Sequence, residues 1–206
     1  INERLNLLVT LRNSLIFTLG VIVSTLVLGL LAGYALAVLN FRGRGAVFGI
    51  VLLSLILPFQ LLMIPLFVMI VRAFGLADTF LGMILPFAVN ATAVFIFRQF
   101  FLAVPQSLFD AARVDGAGEL RILLRVAVPI ARPAILTAVL VTFIGPWNEF
   151  LWPFLITKQA NLQPLAVALA LGAVLVARAH ADAAGIALAV ASGALSSGVG
   201  YAIWYA

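Results

Sequence analysis

The sequence predicts an all-α protein, a polytopic bundle of about six membrane-spanning helices. Three observations predict it. Of the 206 residues, 65% are hydrophobic and only 9% charged, with mean hydropathy +1.25, whereas a soluble domain carries about 25% charged residues. The charges cluster, leaving long runs without any. The basic residues lie between these runs, where they fix orientation in a membrane.

Taken in order, the runs without charge are Asn13 to Phe41 (29 residues), Gly45 to Val71 (27), Thr79 to Phe97 (19), Gln159 to Ala177 (19) and Ala183 to Ala206 (24). A sixth, Ala134 to Ile156, contains one acid, Glu149. A hydrocarbon core of ~30 Å needs about 20 apolar residues at 1.5 Å each, so each run is long enough, or nearly so, to span. Within them Gly29 and Gly33, and likewise Gly45 and Gly49, form G-x-x-x-G spacings that allow close helix approach in lipid. Pro58, Pro65, Pro86 and Pro146 fall inside runs, where neighbouring helices can re-satisfy the freed backbone groups.

Alternating the connections places Asn40–Gly45, Arg98–Pro133 and Arg178–Asp182 on one side with eight arginines, against three arginines and one lysine opposite. The positive-inside bias makes the first set cytoplasmic and residues 1–12 an extracytoplasmic arm. Net charge is +5, but no basic face is interleaved with aromatics, so nucleic acid is not an expected partner; membrane lipid is. With no cysteine and a lone His180, a thiolate zinc site, a disulfide and a Ser-His-Asp triad are not expected, and no phosphate-binding glycine loop precedes Lys158. No cofactor, metal or catalytic residue is therefore assigned. The start, Ile-Asn-Glu-Arg, lacks the pattern of a signal peptide and reads as the middle of a longer chain.

The segment Arg98–Pro133 is the longest and most charged connection. Pro105 and Ser107 offer a helix start, with Leu108, Phe109 and Ala112 as an apolar patch and Asp110 and Arg113 spaced i, i+3 on the polar side. Gly116 is placed to end this helix in the left-handed conformation. Gly118 and Glu119 can begin a second helix, the acid at its positive end, running to Pro129. Two short helices at the membrane surface suit a docking site for a cytoplasmic partner.

The spacing of Asp110, Ala111, Ala112, Gly116, Val126, Val128 and Pro129 resembles the EAA loop of ABC-importer permeases, E-A-A-x-x-x-G-x(9)-I-x-L-P. The departures are Asp for Glu and Val for Ile and Leu. The wording D-A-A-R-V-D-G-A is similar to the carbohydrate-uptake branch, the maltose and glycerol-phosphate type. So are Asn13-Ser14-Leu15, F-R-Q-F-F at 97–101 and G-P-W-N-E-F-L-W-P at 145–153. The resemblance covers about residues 13–170 and implies the type I importer permease fold, with a coupling loop over 105–129. It implies a second permease subunit, cytoplasmic ATP-binding subunits docked on the loop, an extracytoplasmic substrate-binding protein and a place in the plasma membrane. Asp110 would then face a basic group of the ATPase, and Gly116 would provide the turn. The alternative for Asp110 is an exposed charge paired only with Arg113.

Glu149 lies near Trp147, Asn148 and Trp152, and about 30 Å along a straight helix from Pro129, near the outer interface. It reads either as an interface anchor or as the mouth of a translocation path. Asn90, Gln60 and Asn148 could hydrogen-bond a sugar, or join helices.

The tail differs from what precedes it. All sixteen phenylalanines lie at or before Phe154, and alanine rises to 15 of the last 41 residues. With S-G-A-L-S-S-G-V-G-Y-A-I-W-Y at 192–205, residues 171–206 look like a helix pair of EamA-type drug/metabolite transporters, which leaves a secondary transporter or an inactive hybrid as alternatives to a sugar or polyol importer subunit.

Overall fold

The computed structural model describes residues 7–179 and 190–191, and its regular structure among these is entirely helical. Among the described residues eleven α-helices follow in order, beginning with α1 (Leu7–Val38), the one helix there that is long and apolar enough to cross a membrane by itself. Its 32 residues extend ~48 Å at 1.5 Å per residue.

The later runs form broken spans. The run 45–71 divides into α2 (Arg44–Ile56) and α3 (Phe59–Val68), the latter continued by a π-helical turn to Ala73, with a bend of 102° between them. The uninterrupted span expected over 45–71 is thus corrected to one with a sharp corner at Pro58. The proline ring disfavours the α conformation at the preceding residue, and Leu57 is extended at φ −75°, ψ 115°. Next, α4 (Phe80–Ile84) runs into a 3-10 turn, Leu85–Phe87, that contains Pro86, and meets α5 (Ala91–Ala103) at 48°. Three short helices follow: α6 (Gln106–Val114), α7 (Glu119–Ile122) and, after a π-helical turn Leu123–Ala127, α8 (Val128–Ile130). The arm Glu119–Ile130 meets α9 (Arg132–Asn148) at 79°. Two more helices, α10 (Leu151–Ile156) and α11 (Leu165–Ala179), complete the described chain. Helix α11 crosses residue 171 without a break, and most of the tail 171–206 lies outside the described residues.

By contacts the chain forms two units. One comprises Met63–Pro86 with the chain up to Gly20 and from Phe143 onward. Here Trp152, fully buried, donates its indole N–H to the Gly82 carbonyl at 3.2 Å. Buried Asn13 donates to the carbonyls of Asn161 and Gln163, and the Ser14 hydroxyl accepts from the Leu165 N–H at 2.8 Å. The Asn13-Ser14 pair therefore anchors the connection into α11. Asp78, at φ 53°, accepts from the backbone N–H groups of Lys158 and Gln159. These bonds offset the strain of a left-handed aspartate.

The other unit comprises Val21–Leu62 and Phe87–Thr142. Its core joins Tyr34, Ala37 and Val38 of α1, Ala93, Phe97 and Phe101 of α5, and Phe109, Ile122, Leu123 and Ala127 of the loop helices. Gly29 and Gly33 make the close approach that their spacing predicts: a Cβ on Gly33 would lie 2.5 Å from Phe97 Cβ and 3.0 Å from the Arg98 backbone nitrogen. The matching pair on α2 meets nothing, since a Cβ on Gly45 or Gly49 would have no atom within 4 Å. Two arginines donate to carbonyls at the end of α1 and just past it. Arg98 donates to Leu36 O at 3.3 Å and Arg44 to Leu39 O at 3.1 Å, placing positive charge at the negative end of the helix. Arg98 also covers the Phe48 ring at 3.8 Å, a cation–π contact that ties α2 to α5.

Candidate functional site

The loop between α5 and α9 folds as the residue types dictate. Val104, extended ahead of Pro105, ends α5, and Pro105 caps α6 at φ −57°. At the far end Gly116, at φ 78°, occupies the left-handed position. Its N–H donates to Arg113 O at 2.9 Å, and that of Ala117 to Ala112 O at 3.0 Å. This pair of bonds is the Schellman motif, which closes a helix on a glycine.

The second arm differs from its expected form in one respect. Helical structure continues past Pro129 to Ile130, because the π-helical turn Leu123–Ala127 precedes it. A wider turn relieves the clash between the proline ring and a carbonyl one turn back, and Pro129 has no N–H to donate. The break comes instead at Ala131 (φ −77°, ψ 7°), between the arm and α9. Counting along one straight axis from Pro129 to Glu149 is therefore corrected, since the axis turns by 79° there.

The seven pattern residues divide by side. Asp110 and Ala111 are exposed, and Gly116 makes the turn. Ala112, Val126 and Val128 pack partly buried against the core, and Pro129 is exposed. Phe109, fully buried between exposed neighbours, is the anchor: its ring meets Tyr34 edge-on at 5.9 Å, as does Phe101.

A polar network lies over this anchor. Arg113 donates to Asp110 Oδ1 at 2.7 Å and to Glu119 Oε1 at 2.8 Å, so one guanidinium bridges both arms of the hairpin. The buried Tyr34 hydroxyl donates to Glu119 Oε2 at 2.6 Å. The Arg113 hydrogen bond, aided by that of Tyr34, holds the Glu119 carboxyl below its ordinary range despite some desolvation. Arg113 is held more firmly protonated, chiefly by its bond to Glu119. The Asp110–Arg113 pair is exposed, with 58% of the aspartate side chain accessible, and alone is worth about 0.2–1 kcal/mol. Asp110 can thus exchange Arg113 for another cation at little cost.

Outside the network the hairpin presents apolar groups. Val114 is 87% exposed, Leu120 63% and Leu124 58%. Leu120 and Leu124, with Gly116, Gly118, Glu119, Arg121 and Arg125, line an open groove of about 620 Å³.

The three residues considered for a translocation path have local roles. Asn90 caps α5, its side chain accepting from Ala93 N–H at 3.2 Å. Glu149 accepts from the N–H groups of Leu151 and Trp152, both at 3.1 Å, at the start of α10. Asn148 donates to Ile144 O at 2.9 Å, while its buried Oδ1 has no partner among the described residues. Gln60 is exposed. Sequence reasoning did not assign Tyr34, which carries no signal beyond a hydroxyl in an apolar run, nor the capping roles of Arg44 and Arg98. Among the described residues no group of three His, Cys, Asp or Glu side chains could hold a metal ion.

Broken apolar helices with a charged helical hairpin between two of them make up a polytopic membrane domain. The chain belongs to the family of binding-protein-dependent transport system inner membrane components, whose model matches residues 25–205. That match includes most of the alanine-rich tail. The chain is similar to the arabinooligosaccharides transport system permease protein AraQ of Bacillus subtilis (strain 168), with 38% identity over 157 residues, 76% of this chain and 56% of that protein. It is also similar to the sn-glycerol-3-phosphate transport system permease protein UgpE of Yersinia pestis bv. Antiqua (strain Antiqua), with 34% identity over 152 residues, 74% of this chain and 54% of that protein. The chain thus spans little more than half the length of these curated relatives. Among solved structures, a chain of a bacterial ABC transporter involved in the import of the acidic polysaccharide alginate superposes with TM-score 0.75 and 26% identity, covering 95% of this chain and 69% of that one.

Proposed function

We propose that this chain is the transmembrane permease subunit of a binding-protein-dependent ABC importer for a sugar or polyol. It pairs with a second permease subunit, receives substrate from an extracytoplasmic binding protein, and docks separate cytoplasmic ATP-binding subunits on the α6–α7 hairpin. The observation that carries this reading is the hairpin itself. Its inner face is fixed by Phe109, Arg113 and Glu119, while its outer face offers Asp110, Ala111 and the exposed Val114 and Leu120. Exposed apolar side chains set among the charges of this hairpin support a docked protein partner. Closure of docked ATPases on ATP supplies the differential binding energy that shifts the permease between inward- and outward-facing states.

The names of the relatives support the substrate class, and the departure of Asp for Glu at residue 110 shortens the contact by one methylene. For the path we propose Asn90, Asn148 and Glu149. Asn148 is the strongest of the three because its Oδ1 acceptor is unengaged among the described residues. Uptake into vesicles holding the complete transporter, with arabino-oligosaccharide, glycerol phosphate and alginate oligosaccharide as probes, tests the reading. Uptake that needs internal ATP and the binding protein is expected. Uptake driven by an ion gradient without ATP would instead mark a secondary transporter.

A further inference from the structure

A polar contact holds the α6–α7 hairpin to α1. Tyr34 lies 3% exposed near the end of α1, its ring wedged edge-on between Phe101 and Phe109, and its hydroxyl donates to Glu119 at 2.6 Å. The other side of Glu119 is held by Arg113, which also holds Asp110. Four side chains thus form a continuous line from the exposed docking face to the interior of α1. The end of α1 is in turn fixed by Arg98 from α5 and Arg44 from α2, so a pull on Tyr34 acts on a helix already joined to its neighbours.

We propose that Tyr34 is a positioning residue for coupling: through Glu119 and Arg113 it transmits displacement of the docked hairpin to α1. This rests on the hairpin being the ATPase dock. A charge-assisted hydrogen bond at this distance resists sliding of the two elements, whereas ring packing alone allows it. When a partner cation takes Asp110, Arg113 remains on Glu119, and the line to Tyr34 is kept.

The chain has no cysteine, so a single one can report on α1. Asn40, exposed just past the end of α1, is a suitable position. The complete transporter carrying Asn40→Cys is reconstituted in vesicles and labelled with a maleimide, with and without ATP and vanadate. With Tyr34 present the labelling rate is expected to change on ATP binding. With Tyr34→Phe, which keeps the ring and removes one hydrogen bond, that change should fall by about fivefold or more, while recovery of bound ATPase stays within about twofold. Glu119→Leu, which removes the acceptors of both Tyr34 and Arg113, should reproduce the loss.

A full ATP response in Tyr34→Phe would overturn the proposal, as would the absence of any response with Tyr34 in place. Failure of the unaltered chain to hold ATPase at all would overturn the docking reading itself, a separate and recognisable result. A loss of ATPase binding in Tyr34→Phe equal to the loss of response would also count against it, by showing that the residue merely supports the hairpin.

Discussion

Gly116→Val is expected to uncouple the transporter while leaving it folded in the membrane. Gly116 sits at φ 78°, where a non-glycine residue is strained by about 1–2 kcal/mol and a β-branched one by more. No atom lies within 4 Å of the position a Cβ would take, so the cost is in the backbone and not in crowding. The Schellman bonds would be lost or weakened, and Asp110 would no longer be presented in a fixed relation to Leu120. Because the cost is conformational, Gly116→Asn should be far milder, asparagine being the residue that best tolerates this region after glycine. ATP hydrolysis stimulated by loaded binding protein, compared between the two variants, checks this. Equal impairment would show that the side chain, and not the backbone conformation, is at fault.

The second large effect is expected at the crossing of α1 and α5. Gly33→Val puts a branched side chain where Cβ alone would lie 2.5 Å from Phe97 Cβ and 3.0 Å from backbone nitrogen. Neither atom can move by rotamer change, so the helices must separate. Overpacking of this kind costs about 1–3 kcal/mol, and more where backbone is the obstacle. The separation would also strain the Arg98–Leu36 bond. Thermal stability of the detergent-extracted protein should fall markedly for Gly33→Val and barely for Gly45→Ala, whose added Cβ meets open space. Similar losses in both would contradict the assignment of the close crossing to Gly33.

These two glycines illustrate what the sequence makes legible. Gly116 could be read because the signal is local: a polar-apolar helix pattern stops, and a glycine stands at its end. Both G-x-x-x-G spacings look alike in sequence, yet only Gly29 and Gly33 have a neighbour, because the partner Phe97 is more than sixty residues away. The apolar helices were legible as runs without charge, but of about six expected spans the described residues hold one long helix and three bent pairs that qualify. Their bends were less so. Pro58 and Pro86 both mark corners, but Pro65 and Pro146 lie inside helices, so proline alone does not distinguish a corner from a tolerated kink. The helix did not stop at Pro129 because a π-helical turn accommodates it, and such turns have no simple residue signature. In the candidate site, Asp110, Arg113 and Glu119 were legible from spacing, whereas Tyr34 was not, since its partner lies 85 residues along the chain.

The central claim is that the hairpin is where an ATP-binding subunit docks, with Asp110 at the contact. The most direct measurement is recovery of the co-expressed ATP-binding subunit with affinity-purified permease carrying Asp110→Lys, with Arg121→Ala as the comparison. Charge reversal at Asp110 places like charges together and also repels Arg113, its present partner at 2.7 Å. The account predicts recovery reduced by about tenfold or more for Asp110→Lys and near normal for Arg121→Ala. Undiminished recovery with Asp110→Lys, in protein that still inserts and accumulates, would contradict it.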